Sequence, residues 1–313
     1  MNKKIFNALA MAFVILCVSL PSQSKASDNY FVGDPVVAIL DTALDNSLPI
    51  FNNRILLEAC VIRHSSCPNG YSEMEGLNSS TMRPDWISKN GFNHGTEIAS
   101  LAVATNPNIK IVFVRIIGSS SKGLRQYAGE NSLYDALDWV IRNKDRLNIQ
   151  AVSMSQGHHN LGPAGTDYCP KTPITESKIK SLLNSEIPVF FPTGNTGDSK
   201  RINWPACIPD SIAIGSTVEN NFIPQYSNYD PLLVDFFARG SNIVTTVGGK
   251  TKYVSGTSAS TVIAATQWAT IKNSNPSLSY KEIYDLISKT SISVNGSGVY
   301  GGKLIDVKGV LNG

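Results

Sequence analysis

An α/β protein, doubly wound around a mostly parallel central sheet with helices on both faces, is what three features of the sequence predict. Short continuous apolar runs such as Val36-Val37-Ala38-Ile39-Leu40 recur along the chain, as strands buried on both faces require. Between them lie longer helical segments, and strand-helix-strand alternation of this kind feeds a parallel sheet through right-handed crossovers. The 313 residues are 42% apolar and 16% charged, enough for one sizeable core, and residues 30–313 contain no internal repeat or break in composition.

The chain opens with Lys3 and Lys4 ahead of an apolar run from about residue 8 to 20 and then Ser24-Lys25-Ala26, the order of a secretory signal peptide. The run is short for a bilayer span. Cleavage near Ala26 is expected, giving a signal peptide at 1–26 and one domain at 27–313, with an uncleaved anchor as the alternative. The first strand, 36–40, ends at Asp41. A polar, Gly/Pro/Ser-rich stretch at 46–93 reads as loops with little core. Alternation follows: helix 94–104, strand 109–116, helix 131–143, strand 149–155, helix 175–184, strand 188–191 and a short apolar run at 212–214. The last third holds an apolar segment from 257 to about 271, a helix at 278–289 introduced by Asn275-Pro276-Ser277, and a closing run at 303–307.

The net charge of +3 comes from scattered Lys and Arg, which implies neither nucleic acid nor an acidic partner. Of five cysteines, Cys17 would leave with the signal. Cys60, Cys67, Cys169 and Cys207 remain, an even number that favours disulfides in an exported chain. Three pairings are open, and the expected one is Cys60 with Cys67 and Cys169 with Cys207. His64, between two of these cysteines, reads as a loop residue, and no metal site is expected.

Acyl transfer needs a hydroxyl, a base to take its proton and a third group to hold that base in the right tautomer. Four histidines limit the choice of base. His64 is in the Cys-flanked loop, and His158 and His159 are adjacent in a polar turn, which leaves His94 at the start of His94-Gly95-Thr96-Glu97-Ile98-Ala99-Ser100. Asp41 ends a buried strand and is preferred as the third group over Asp45. Ser258, in Ser255-Gly256-Thr257-Ser258, opens an apolar helix and reads equally as a helix cap or as a nucleophile facing the positive end of a helix dipole. Asn195, in Thr193-Gly194-Asn195-Thr196-Gly197, reads as a turn residue or as an amide donor aimed at an oxyanion.

Taken together, Asp41-Thr42 after Val37-Ala38-Ile39-Leu40, His94-Gly95-Thr96, Gly194-Asn195 and Gly256-Thr257-Ser258 resemble, in order, the motifs of the subtilisin-like serine peptidases, in which the triad runs Asp, His, Ser. The resemblance covers residues from about 34 to 308. Val152-Ser153-Met154-Ser155-Gln156-Gly157 resembles the family's substrate-binding strand, Trp204-Pro205-Ala206 with Ile212-Ala213-Ile214-Gly215 the segment after the oxyanion Asn, and Leu304-Ile305-Asp306-Val307 its closing strand. This resemblance implies that Ser258 is the nucleophile, His94 the general base and then acid, and Asp41 the group that orients it. It implies further that Asn195 and the Ser258 N–H bind the oxyanion, and that Ser155, Gln156, Gly157 and Gly194 pair with an extended peptide. Three places depart from the family pattern: Ala43 stands where Gly is common, Ser260 and Val262 where Ala and Pro are common, and Phe191-Pro192-Thr193 is bulkier than usual before Gly194. Pocket specificity is therefore not carried over.

The function implied is an exported serine endopeptidase, periplasmic or secreted, acting on polypeptides through an acyl-enzyme. Its chemistry needs no cofactor; structural calcium stays open at sites the sequence does not mark. Nucleic acid and, after signal cleavage, stable membrane insertion are not expected. The 14 residues from 27 to 40 leave no room for a folding propeptide ahead of the first motif, so unaided folding or a separate helper or inhibitor is expected. Two alternatives use the same residues: a catalytically silent subtilase fold that only binds, and acyl transfer to an amine. An α/β-hydrolase is disfavoured because Gly256-Thr257-Ser258-Ala259-Ser260 is not G-x-S-x-G.

Overall fold

The structure, a computed structural model, describes residues 33–63, 65–89, 91–120, 122–126, 129–158 and 169–312. The segment read as a signal peptide, His64 and His159 lie outside the described residues. In chain order the elements are β1 (Val36–Asp41), β2 (Ile55–Val61), β3 (Glu73–Glu75), α1 (Pro84–Lys89), α2 (His94–Thr105), β4 (Lys110–Arg115), α3 (Glu130–Asn143), β5 (Ala151–Met154), α4 (Pro173–Leu183) and β6 (Val189–Pro192). They continue with β7 (Ile212–Thr217), β8 (Phe236–Arg239), β9 (Ser241–Thr245), β10 (Thr251–Ser255), α5 (Thr257–Ser274), α6 (Tyr280–Thr290), β11 (Ile292–Gly296), β12 (Val299–Leu304) and α7 (Val307–Asn312).

All six residues of β1 are buried, and the strand lies between β4 and β5, parallel to both. Across the sheet the order is β11-β12-β8-β7-β6-β5-β1-β4-β2-β3. Only the edge strands β11 and β3 run antiparallel to their neighbours. After β1 the chain builds β2, β3 and β4 on one side, then turns to the other side for β5 to β8. Asp41 therefore sits at the carboxyl end of the strand where the winding reverses, the place where open α/β sheets bind ligands.

Successive strand residues point to opposite faces. Val37, Ile39, Ile111, Phe113, Phe190, Ile212 and Phe236 share a core with α2 and α5. Their neighbours Ala38, Leu40, Val112, Val114 and Val152 are just as buried, so the other face is covered as well; α3 and α4 pack on each other and on β2 and β6. Helix α5 is buried nearly all round, as a helix running through a core must be. Ala259, Ala264, Ala265 and Ala269 keep it slim enough to lie across β5, β6, β7 and β8. Among the described residues no helix is long and apolar enough to cross a membrane.

Two expectations need correction. Residues 46–93 are not loops alone: β2 joins β4 inside the sheet, with Ala59, Cys60 and Val61 buried. Its apolar run is broken by Glu58, 3% exposed, which accepts from Asn46 Nδ2 at 2.6 Å, the Asn78 N–H at 3.2 Å and Ser80 Oγ at 2.6 Å. A carboxylate satisfied in this way can be buried, whereas its identity alone suggests a solvated position. The closing run is also shifted: β12 ends at Leu304 and α7 begins at Val307. Both cysteine pairings are as expected, Cys60 with Cys67 and Cys169 with Cys207.

Candidate active site

The residues that end β1 bind the start of α2 through a series of short-range contacts. Thr42 Oγ1 donates to the Phe92 carbonyl at 2.7 Å and accepts from the Gly95 N–H at 2.8 Å. Thr96 Oγ1 donates to the Ala43 carbonyl at 3.3 Å and accepts from the Asp45 N–H at 2.9 Å. A Cβ on Gly95 would lie 2.7 Å from the Phe113 ring and 2.8 Å from the Ala43 oxygen, so only glycine lets the helix start come this close. Ala43 fits where it stands, fully buried, with its N–H donating to the Phe92 carbonyl.

This stitching fixes His94, the first residue of α2, over Asp41. The Asp41 carboxylate is fully buried, and its two oxygens lie 2.8 and 3.0 Å from His94 Nδ1. One of them also accepts from the Thr42 N–H at 2.6 Å. A carboxylate accepts and does not donate, so the imidazole proton belongs on Nδ1 and Nε2 is left with its lone pair. Gln156 adds a long contact from Nε2 to His94 Nδ1, 3.5 Å, and its own carbonyl accepts from Arg125. Asp45, the rival carboxylate, serves Ser47 and the Gly248 N–H instead.

Ser258 is not the cap of α5. The N-cap position is Gly256, and Ser258 stands two residues on. Its Oγ donates to the Ser155 carbonyl at 3.2 Å, while Ser155 Oγ donates to the Ser258 carbonyl at 2.9 Å. The helix start is thereby clamped to the end of β5, beside the segment Ser155-Gln156-Gly157.

Asn195 supplies what Gly256 lacks. Its Oδ1 accepts from the Thr257 N–H at 2.9 Å and from Thr257 Oγ1 at 3.0 Å, satisfying one of the free N–H groups at the helix start. With Oδ1 held this way, Asn195 Nδ2 stands beside Gly256, 3.4 Å from where a Cβ on that glycine would lie. Gly194 precedes it at φ +112, and a Cβ there would meet Asn228 Nδ2 at 2.5 Å and Asn203 Oδ1 at 2.6 Å. Glycine is the residue this approach tolerates.

His94, Asn195 and Ser258 line one cavity of about 250 Å³, together with Gly256, Ala259 and the apolar side chains of α2, β9 and β10. Ser260 and Val262 are buried in α5 and are not among its lining residues. Thus the structure brings Asp41, His94, Ser258 and Asn195 together from four separate parts of the chain, with Ser155 and Gln156 alongside.

Thr42 and Thr257, the motif neighbours of Asp41 and Ser258, each hold a site residue in place. Glu97 carries no local sequence signal of a role. It is 5% exposed, accepts from Asn93 and from Thr246 Oγ1 at 2.6 Å, and pairs with Lys252 at 2.8 Å, tying the β9–β10 hairpin to α2 one turn below His94. Its partners on the hairpin are about 150 residues away, beyond the reach of any local pattern. Among the described residues no cluster of three or more His, Cys, Asp or Glu side chains is arranged to hold a metal ion.

The profile of the subtilase family (Peptidase_S8) matches residues 33–306. An alkaline protease of Alkalihalobacillus alcalophilus is 27% identical over 230 residues, which cover 70% of this chain but only 55% of that protein. Subtilisin Savinase of Lederbergia lenta is 26% identical over 230 residues, 70% of this chain and 78% of its own length. Among solved structures, a serine-to-alanine mutant of the protease domain of PatA superposes with a TM-score of 0.70 at 17% identity, covering 90% of this chain and 95% of that one. A cold-adapted subtilisin-like serine proteinase superposes with a TM-score of 0.64 at 22% identity, covering 88% and 89%.

Proposed function

This chain belongs to the subtilase family, and from that premise we propose that it is a serine endopeptidase whose nucleophile is Ser258. In this reading Ser258 Oγ attacks the carbonyl carbon of a peptide bond and its proton passes to His94 Nε2. The Asp41 carboxylate holds the Nδ1 proton and stabilises the imidazolium that forms. The carbonyl oxygen, now an oxyanion, takes hydrogen bonds from Asn195 Nδ2 and the Ser258 N–H. On collapse the C–N bond breaks, the leaving amine takes the proton from His94, and an acyl-enzyme remains for water to hydrolyse by the same steps. Ser155, Gln156, Gly157 and Gly194 pair with the extended substrate.

The observation that carries this reading is the convergence of His94, Asn195 and Ser258 on one cavity, with Asp41 behind the ring. One feature favours the silent alternative: Ser258 Oγ is bonded to the Ser155 carbonyl and not to His94. A rotation about the Ser258 Cα–Cβ bond is needed before the proton can pass to Nε2. A fluorophosphonate probe separates the two readings, because it forms a bond only with an activated hydroxyl. Labelling is expected at Ser258 and is expected to vanish in Ser258→Ala; folded wild-type protein that stays unlabelled would favour the silent fold.

Asn195→Ala is expected to lower kcat by about 10²–10³ with little change in KM. A larger change in KM than in kcat would count against an oxyanion role. Export follows from residues 1–26, read as a cleaved signal; the intact mass of protein recovered from the medium or periplasm tests this, with a chain beginning near Ser27 expected. Substrates are polypeptides, and a separate folding helper or inhibitor remains part of this reading.

A further inference from the structure

A second cavity, of about 500 Å³, opens beyond the carboxyl ends of β2 and β4 and takes no part in the chemistry above. Its walls come from the segment closed by the Cys60–Cys67 disulfide, from residues 81–86 and from the turn after β4. Among the described residues that line it there is no Asp or Glu, whereas there are two arginines.

Arg115, the last residue of β4, is the deeper of the two and is 3% exposed. Its Nε donates to the Ile117 carbonyl at 3.2 Å and its Nη1 to the Thr81 carbonyl at 3.2 Å. A guanidinium has five N–H donors, and most of these have no partner among the described residues. Among the described residues no carboxylate pairs with it. Its strand neighbour Asp41, directly across in register, is committed to His94 and Thr42. Burial pushes the Arg115 guanidinium down to about 10, the shift expected of a charge that is desolvated without compensation. Held by two carbonyls and no anion among the described residues, this cation would be stabilised by an anion placed beside it.

Arg83 stands at the rim, exposed, with its guanidinium 5.4 Å from the Trp86 ring centroid and in a surface pair with Asp85 at 3.2 Å. Exposed pairs of this sort are weak, so Arg83 can turn inward at little cost. Thr81, Ser65 and Ser119 also line the wall, the first two with their hydroxyls donated to the Asn78 and Ser119 carbonyls. Two guanidiniums, of which Arg83 is shared with Asp85 only through an exposed pair, and an aromatic face make up the donor set for an oxyanion.

We propose that this cavity binds one oxyanion group, a carboxylate, phosphate or sulfate, held by Arg115 at its base and Arg83 at its rim. The group reaches the site either as a small free anion or as the acidic side chain of a polypeptide.

The test uses the full mature chain carrying Ser258→Ala, so that self-cleavage cannot interfere. Inorganic sulfate, inorganic phosphate and a short glutamyl peptide blocked at both ends are each titrated calorimetrically at constant ionic strength. Saturable one-site binding is expected for at least one probe, with a matching rise in Tm. Arg115→Met and Arg83→Gln are each expected to weaken it by roughly tenfold or more, the weight of a charge-assisted hydrogen bond. Should Arg115→Met fail to fold, Arg83→Gln and Trp86→Leu carry the test from the rim. Tighter binding of phosphate or sulfate assigns a free anion, and tighter binding of the glutamyl peptide assigns a polypeptide side chain. Absence of saturable binding by all three probes, or binding unchanged in the variants that fold, overturns the proposal.

Discussion

Replacing Ser258 with alanine is expected to lower turnover by about six orders of magnitude, the size of loss that removing the nucleophile or base causes in subtilisin itself. The reason lies in the division of labour proposed above. Oxyanion donors and substrate contacts act on whatever attacks the carbonyl, but without the Ser258 hydroxyl only water can attack, and no group positions it. Binding of the peptide uses other atoms, so KM should change little. His94→Ala is expected to cost about as much, and the double variant no more than either, because the two residues act as a unit. Peptide hydrolysis followed in purified wild-type and variant protein, with circular dichroism to confirm folding, checks this. A Ser258→Ala protein that keeps even a hundredth of wild-type turnover would remove Ser258 from the role.

Asp41→Asn is the second large effect, about 10⁴ in kcat. The carboxylate is fully buried and accepts from the Thr42 N–H at 2.6 Å. An asparagine keeps that bond by directing its carbonyl oxygen to Thr42, which places its amide N–H₂ against His94 Nδ1. Nδ1 must then accept, the ring proton moves to Nε2, and the base has no lone pair to offer Ser258. Shape is conserved and the fold should survive, so the loss appears in kcat rather than in stability. Nitrogen-15 chemical shifts of the His94 ring report the tautomer directly. An unchanged tautomer with unchanged turnover would show that Asp41 plays no orienting role.

How far the sequence reveals this arrangement depends on the range of the interactions involved. The run from Val36 to Asp41 is legible because a strand buried on both faces needs apolar residues throughout. The helix from His94 is legible because Gly95 and the small residues after it mark a close approach. Strand β2 is hidden because Glu58 interrupts its pattern, and the groups that make burial of Glu58 tolerable lie 12 to 22 residues away. Strand β8 is hidden because Asp235 interrupts the apolar stretch just before it, and the Ala213 N–H and Tyr284 hydroxyl that satisfy Asp235 lie 22 and 49 residues away. For the candidate site, the sequence marks Asp41, His94, Asn195 and Ser258 by their motifs but not the contacts that support them. Nothing local to Asn195 says that its oxygen will serve Thr257, 62 residues later.

The bond from Ser258 Oγ to the Ser155 carbonyl has a consequence for time. Side-chain rotation ordinarily takes picoseconds to nanoseconds where the surroundings permit it, whereas proteolytic turnover takes about a millisecond to a second. The hydroxyl therefore samples both orientations many times during each catalytic cycle. A neutral hydrogen bond of about 0.5–1.5 kcal/mol favours the parked orientation by roughly 2- to 13-fold, and the observed rate is scaled by the fraction that remains turned toward His94. The contact with Ser155 sets a population and not a speed.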